Sequence, residues 1–182
     1  MMKVPLEAVK SLREKTGAPI GDVRSALEAA GGDEAKAREL LTQKGFEMAK
    51  TRMTRTVGAG RIECYIHHDG RVGALVEVNC ETDFVARLPE FQQLCKDLAM
   101  QVASQNPHYV KKDELTGRHI VEAKQRGKKT PDELAKDTCL LEQPFIKDQG
   151  QTIAQLLTAM IAKTGENIVV RRFMRFALGE PR

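Results

Sequence analysis

Residues 61–87 read RIECYIHHDGRVGALVEVNCETDFVAR. The first part is rich in β-branched and aromatic residues and is divided by Asp69-Gly70, a strong short signal for a tight turn between antiparallel strands. It is therefore read as a hairpin, "GRIECYIHH" and "RVGALVEVNC" about a "DG" turn. The β-type run then stops at "ETDF", where Thr82 or Asp83 suits a helix N-cap and the acid favours the positive helix end. Two readings of Asp83-Phe84 stand side by side. In one, the pair is a cap followed by a first-turn core residue. In the other, it faces a second molecule.

Downstream, "TDFVARLPEFQQLCKDLAMQVASQ" reads as a long helix, with a break at Pro89 and Phe91, Leu94, Leu98 and Val102 on its buried face. Residues 111–146 are polar and read as helical. "QTIAQLLTAMIAKTG" is a helix with Ile153, Leu156, Leu157, Met160 and Ile161 inward, and "ENIVVRRFMRFALGE" is a final strand. This pattern predicts an α+β core over 59–182, with a small, mostly antiparallel three-stranded sheet packed with helices.

Upstream, the first 45 residues read as three short helices. "VPLEAVKSLREKTG" carries Leu6, Val9 and Leu12 on one face, with Pro5 at its start and Gly17 at its end. "APIGDVRSALEAAGG" carries Ile20, Val23 and Leu27, and Gly31-Gly32 ends it. "DEAKARELLTQKG" starts at Asp33 as N-cap, carries Leu40 and Leu41, and is expected to stop at Gly45. So small a bundle buries little area, and a binding role suits it. Residues 46–58 lack an apolar stripe, hold Lys50, Arg52 and Arg55, and read as a partly helical linker.

The 182 residues are 41% apolar and 30% charged, which is globular composition. With 29 basic against 25 acidic residues, the charge of +4 permits nucleic acid as a partner without requiring it. Cys64, Cys80, Cys95 and Cys139 form no C-x-x-C, and the first three sit in apolar patterns where reduced, buried thiols are expected. A cytoplasmic chain fits that usage. No stretch has the ~18 apolar residues of a membrane span, and the N-terminus has no signal-peptide run.

The search for chemistry finds no P-loop, no dinucleotide fingerprint, no H-E-x-x-H and no G-x-S-x-G. Cys64 and His67 have a metal-like spacing, but a second ligand pair is missing and on a strand the two point to opposite faces. Basic residues in "AKQRGKKTP" and at Arg171-Arg172 lack an aromatic stacking platform. No metal, cofactor or bound nucleotide is expected, and protein binding remains. The first rival is an RNA- or ribosome-associated binding protein, whose affinity would fall linearly with salt on a log–log scale; the others are an enzyme with an unrecognised site and a ubiquitin-type binder in the first 45 residues.

These residues resemble the bacterial elongation factor Ts family, exchange factors for elongation factor Tu. "LREKTGAPIGDVRSAL" with "GGDEAKARELLTQKG" resembles the family's three-helix, ubiquitin-associated-like domain. "EVNCETDFVAR" resembles its signature, and "YIHHDGRVGALVEV", "QPFIKDQGQTIAQLL" and "TGENIVVRRFMRFALGE" resemble further segments. The resemblance is weakest between Lys111 and Thr138. It implies that Thr82, Asp83, Phe84 and Val85 form a wedge that enters the G domain of Tu beside its Mg²⁺ and phosphate site and promotes GDP release without covalent chemistry. It also implies contacts to Tu from Arg13, Ile20, Arg24, His67 and Ile146. Ile20 reads equally well as bundle core. Many relatives carry a duplicated core module and a protruding coiled coil; this chain has a single module, which implies the short form and a homodimer.

Overall fold

The computed structural model describes residues 4–117, 121 and 130–180, with Phe46 described by its backbone alone. Most of the basic cluster at 123–131, and the helical reading of 118–120 and 122–129, lie outside the described residues. Two compact units result. One takes the described residues through Arg55 together with Thr158–Asn167; the other takes Thr56–Leu157 and continues from Ile168.

In the first unit, helices α1 (Leu6–Thr16), α2 (Ile20–Ala29) and α3 (Glu34–Arg52) surround a core of Val9, Leu12, Val23, Ala26, Leu27, Ala37 and Leu41. Gly17, left-handed at φ 68°, ends α1 and donates its N–H to the Arg13 carbonyl. Asp33 caps α3 by accepting the N–H groups of Ala35 and Lys36. Three expectations are corrected. Leu6 and Ile20, read as inward, are 62% and 52% exposed, because Val9, Leu12, Val23 and Leu27 already fill the space between the helices. Leu40 is exposed beside buried Leu41. Helix α3 does not stop at Gly45 but continues to Arg52. Gly45 marks close approach instead of termination: a Cβ there would lie 2.9 Å from the Cβ of Ala162.

The second unit is α+β, as the sequence predicts. Strands β1 (Ala59–Ile66), β2 (Val72–Cys80) and β5 (Ile168–Ala177) form one antiparallel sheet in the order β1-β2-β5. Helices α4 (Asp83–Arg87) and α5 (Pro89–Gln105) follow β2, and α6 (Pro131–Thr138) starts from a Thr130–Glu133 capping box. The helical reading of 111–146 is corrected at its end, where β3 (Pro144–Phe145) pairs with β4 (Asp148–Thr152) in a two-stranded hairpin that leads into α7 (Ile153–Thr164). Short 3₁₀ turns span Lys112–Glu114 and Leu140–Glu142. No helix among the described residues is long and apolar enough to cross a membrane.

Helix α5 packs on β1 and β2. It buries Phe91, Leu94, Leu98 and Val102, as the helical spacing predicts, with Cys95 and Ala99 beside them. Each such Leu or Phe contributes about 1.5–3 kcal/mol of burial free energy. Against it lie Ala74, Val76, Val78 and Cys80 of β2. Register then settles which face of β1 is inward: Glu63 pairs with Val76 and Tyr65 with Ala74, so Arg61, Glu63 and Tyr65 share the helix side. Ile62, Cys64 and Ile66 are left on the open side, and the expectation of a buried Cys64 is corrected.

The hairpin turn is also longer than a two-residue "DG" turn. The strands end at Ile66 and Val72; the Gly70 N–H donates to the His67 carbonyl at 2.8 Å, and Gly70 follows in the left-handed region at φ 67°. The turn centre is therefore His68-Asp69, and Gly70 supplies the left-handed step that returns the chain to the strand. On β5 the register shifts opposite Glu77/Val78, leaving Arg171 as an extra residue, so Arg171 and Arg172 are both exposed.

The candidate partner-binding corner

Chain direction changes between β2 and α5 within nine residues. Thr82 is extended (φ −126°, ψ 158°) and caps α4, its hydroxyl accepting the Val85 N–H at 3.5 Å. The Thr82 carbonyl accepts the Ala86 N–H and the Cys80 thiol. At the other end Leu88 is extended (φ −63°, ψ 134°), the conformation expected of a residue before proline, and Pro89 opens α5 at its first position. The break expected at Pro89 is thus a clean separation of two helices. Gln92 fastens it, donating its backbone N–H to the Leu88 carbonyl and its side-chain amide to the Arg87 carbonyl.

A helix of five residues presents one inward position, and Val85 occupies it at 7% exposure. Phe84 projects the other way and is 77% exposed. Asp83 is beside it, also in solvent, paired with Arg87 at 2.8 Å. The cap half of the first reading holds, with Thr82 as the cap. The core half is corrected, since a phenylalanine in the core would not leave three quarters of its area in water. An aromatic ring held outward on a corner fastened at both ends is equipped to enter an apolar slot, with a carboxylate carried alongside.

The other candidate positions fall elsewhere. His67 lies just beyond β1, half-buried, its Nδ1 3.0 Å from the Tyr65 hydroxyl and its ring edge-on to His68 at 4.3 Å. It sits at the far end of β2 from the corner, about 26 Å of strand away for eight residue steps. Ile146 is half-buried in the turn between β3 and β4, where its N–H donates to Gln101 Oε1 at 2.9 Å. From Pro89 to Gln101 is about 18 Å of helix, so α5 separates this turn from the Phe84 corner. Among residues of the first unit, Ile20 and Arg24 line one shallow depression with Val4, Leu6, Val9 and Gly21. Arg13 is exposed on α1, and the Arg24 guanidinium pairs with Glu28 at 3.1 Å.

Sequence reasoning missed the exposed Leu6 beside Ile20 and the buried Gln101 beneath Ile146. Neither carries a local signal: Leu6 fits the helical apolar pattern, and Gln101 is a polar residue in a helix that is otherwise mixed. Among the described residues no group of three or more His, Cys, Asp or Glu could hold a metal ion.

The family model for elongation factor TS matches residues 14–180, a span that contains the corner, both hairpins and the final strand. The chain belongs to the elongation factor Ts family. Curated members of that name are similar along nearly their whole length. The protein of Anaeromyxobacter sp. (strain Fw109-5) is 44% identical over 99% of this chain and 90% of its own. That of Carboxydothermus hydrogenoformans is 45% identical over 96% and 88%. That of Thermodesulfovibrio yellowstonii is 43% identical over 98% of each chain. Membership of the elongation factor Ts family makes the chain a translation elongation factor.

Proposed function

We propose that this elongation factor acts as a guanine-nucleotide exchange factor, binding elongation factor Tu and promoting GDP release with the Asp83-Phe84 corner. The observation that carries the reading is the outward phenylalanine: Phe84 is 77% exposed while Val85, the next residue, anchors the corner. Phe84 fills an apolar slot on the G domain of Tu, and Asp83 at its side disturbs the contacts that hold the partner's Mg²⁺ and phosphates. Thr82 and Val85 hold the two in place. Arg13, Ile20, Arg24, His67 and Ile146 supply further contacts.

Linkage is sufficient for such an activity. A factor that lowers Tu's affinity for GDP has its own affinity for Tu lowered by GDP to the same degree, typically about 5–150-fold. No general acid, base or nucleophile is required, since the factor stabilises a nucleotide-poor conformation of its partner.

The test is release of a fluorescent GDP analogue from bacterial elongation factor Tu with excess unlabelled GDP present. Acceleration by the chain, lost in a folded Asp83→Ala, Phe84→Ala double variant, is the expected result. A release rate that the wild-type chain leaves unchanged defeats the proposal. Acceleration that survives in the double variant leaves the exchange activity standing and removes the corner from it.

We also propose that the chain pairs with a second copy of itself through the open face of its sheet. That face carries Ile66 opposite Gly73 and Phe176, then Cys64 opposite Leu75 and Met174, with Ile62, Ile66, Leu75, Met174 and Phe176 all exposed. One charged row closes it, where Arg172 Nε meets Glu77 at 2.7 Å. A contiguous apolar surface rimmed by charge favours burial against another protein. Light scattering on the wild type and on Leu75→Lys distinguishes the states: a dimer mass for the first and a monomer mass for the second is expected, and a monomeric wild type at micromolar concentration defeats the pairing.

A further inference from the structure

Two amide-bearing side chains between α5 and the β3–β4 hairpin are almost wholly buried: Gln101 is 0% exposed and Gln143 3%. Their groups are matched in detail. Gln101 Nε2 donates to Gln143 Oε1 at 3.2 Å and to the Pro144 carbonyl at 3.1 Å. Gln101 Oε1 accepts the Ile146 N–H at 2.9 Å. Gln143 Nε2 donates to the carbonyls of Gln105 and Asp137, at 3.4 and 3.1 Å. One turn before Gln101, Asp97 accepts from Lys147 at 2.7 Å. Residues 97, 101 and 105 recur every four positions along one side of α5, so segment 143–147 is tied to the helix at three successive turns.

Burying a primary amide is costly unless its groups are paired, and a core residue of this size would more simply be Leu or Met. What the amide supplies is direction. The loop of the β3–β4 hairpin is Ile146-Lys147, and β3 is only two residues long, so its own ladder provides little to set where Ile146 points. We propose that Gln101 is a positioning residue that holds the Ile146 corner at a set height on α5, the helix whose first residues follow the Asp83-Phe84 corner. The helix then acts as a spacer between two points of contact, and Gln101 fixes the second. Its functional consequence rests on the exchange-factor reading; the latch itself does not.

The experiment uses the full chain with Gln101→Met, which keeps side-chain length while removing the three hydrogen bonds of the Gln101 side chain, and Asp97→Asn, which weakens the Asp97–Lys147 tie one turn away. Amide hydrogen exchange of the free protein gives the first readout. Loss of one net hydrogen bond corresponds to about threefold to tenfold. The Ile146 amide is expected to exchange faster by about that factor in Gln101→Met and less in Asp97→Asn, with the Val102 amide unchanged. Equal protection of Ile146 in wild type and Gln101→Met overturns the latch.

The second readout is GDP release from elongation factor Tu as a function of factor concentration. Gln101→Met is expected to raise the half-saturating concentration by about threefold to tenfold and to leave the saturated rate alone, because Asp83 and Phe84 are untouched. In an Ile146→Ala background the same substitution is expected to add less than about twofold. An equal increment in both backgrounds overturns the role through Ile146 and leaves Gln101 a packing residue. If the wild type does not accelerate release, the exchange reading fails by itself, and Ile146 protection alone decides the latch.

Discussion

Phe84 and Val85 are adjacent in the chain and opposed in the fold: the ring of the first is in water and the side chain of the second is under α5 and the sheet. Substituting them separates stability from function. Phe84→Ala is expected to change unfolding free energy by less than about 0.5 kcal/mol, as exposed positions do. Val85→Ala is expected to cost about 1–2 kcal/mol, from two methyl groups removed from a packed site. Urea denaturation measures both, and a Phe84→Ala loss as large as that of Val85→Ala would show the ring to be packed.

Gly45 tests whether close approach or helix propensity governs α3. Alanine is favoured over glycine in a helix interior by about 1 kcal/mol, so propensity alone makes Gly45→Ala stabilising. The added Cβ, however, lies 2.9 Å from the Cβ of Ala162, which sits stiffly on a helix backbone. Overpacking of that kind costs about 1–3 kcal/mol, and net destabilisation is expected. Ala162→Gly added to Gly45→Ala should recover part of the loss, a non-additivity that a thermal melt of the four variants reads directly.

How much of this was legible in the sequence differs by element. The helix spacing of Phe91, Leu94, Leu98 and Val102, the proline break and the caps at Gly17 and Asp33 were legible because each is a local signal with a local cause. The inward face of β1 was not. Both alternating sets of β1 contain sizeable apolar groups, and only its pairing with Val76 and Ala74 puts Glu63 and Tyr65 beneath α5. Gly45 resembled a helix stop because a glycine that ends a helix and one that lets two helices touch are the same letter. Family resemblance was legible in "ETDFVAR", but the outward aim of Phe84 depends on where a five-residue helix meets the sheet. The Gln101–Gln143 pairing joins residues 42 apart, and no periodicity announces it.

Glu63 makes the core pH-sensitive in a predictable direction. Its side chain is largely buried on the inner face of β1. Burial pushes its carboxyl up, but the hydrogen bonds from Arg61 Nε and the Cys64 N–H, with the charges of Arg61 and Lys96, outweigh it and hold the group below its ordinary 4.5. A carboxyl lowered in the folded state stabilises the fold above its unfolded value, and the contribution is lost as pH falls through the folded value. Wild type should therefore exceed Glu63→Gln in stability at pH 7, with the gap closing below pH 4.5. Denaturation at pH 7, 5 and 3 measures it, and a gap that widens on acidification would reverse the sign.

Cysteine reactivity reports on the open sheet face. Burial pushes the Cys95 thiol up to about 12 and raises that of Cys139, while Cys80 is buried under the corner. Cys64 stands exposed among Ile62, Ile66 and Leu75. In the native protein a maleimide should modify Cys64 first, and Cys64→Ser should remove the fast phase, because thiolate availability and access together set the rate. If two chains pair through this face, the fast phase should slow as protein concentration rises, by the fraction of chains that are paired. A Cys64 rate independent of concentration over the range where light scattering shows a dimer would place the pairing on another surface.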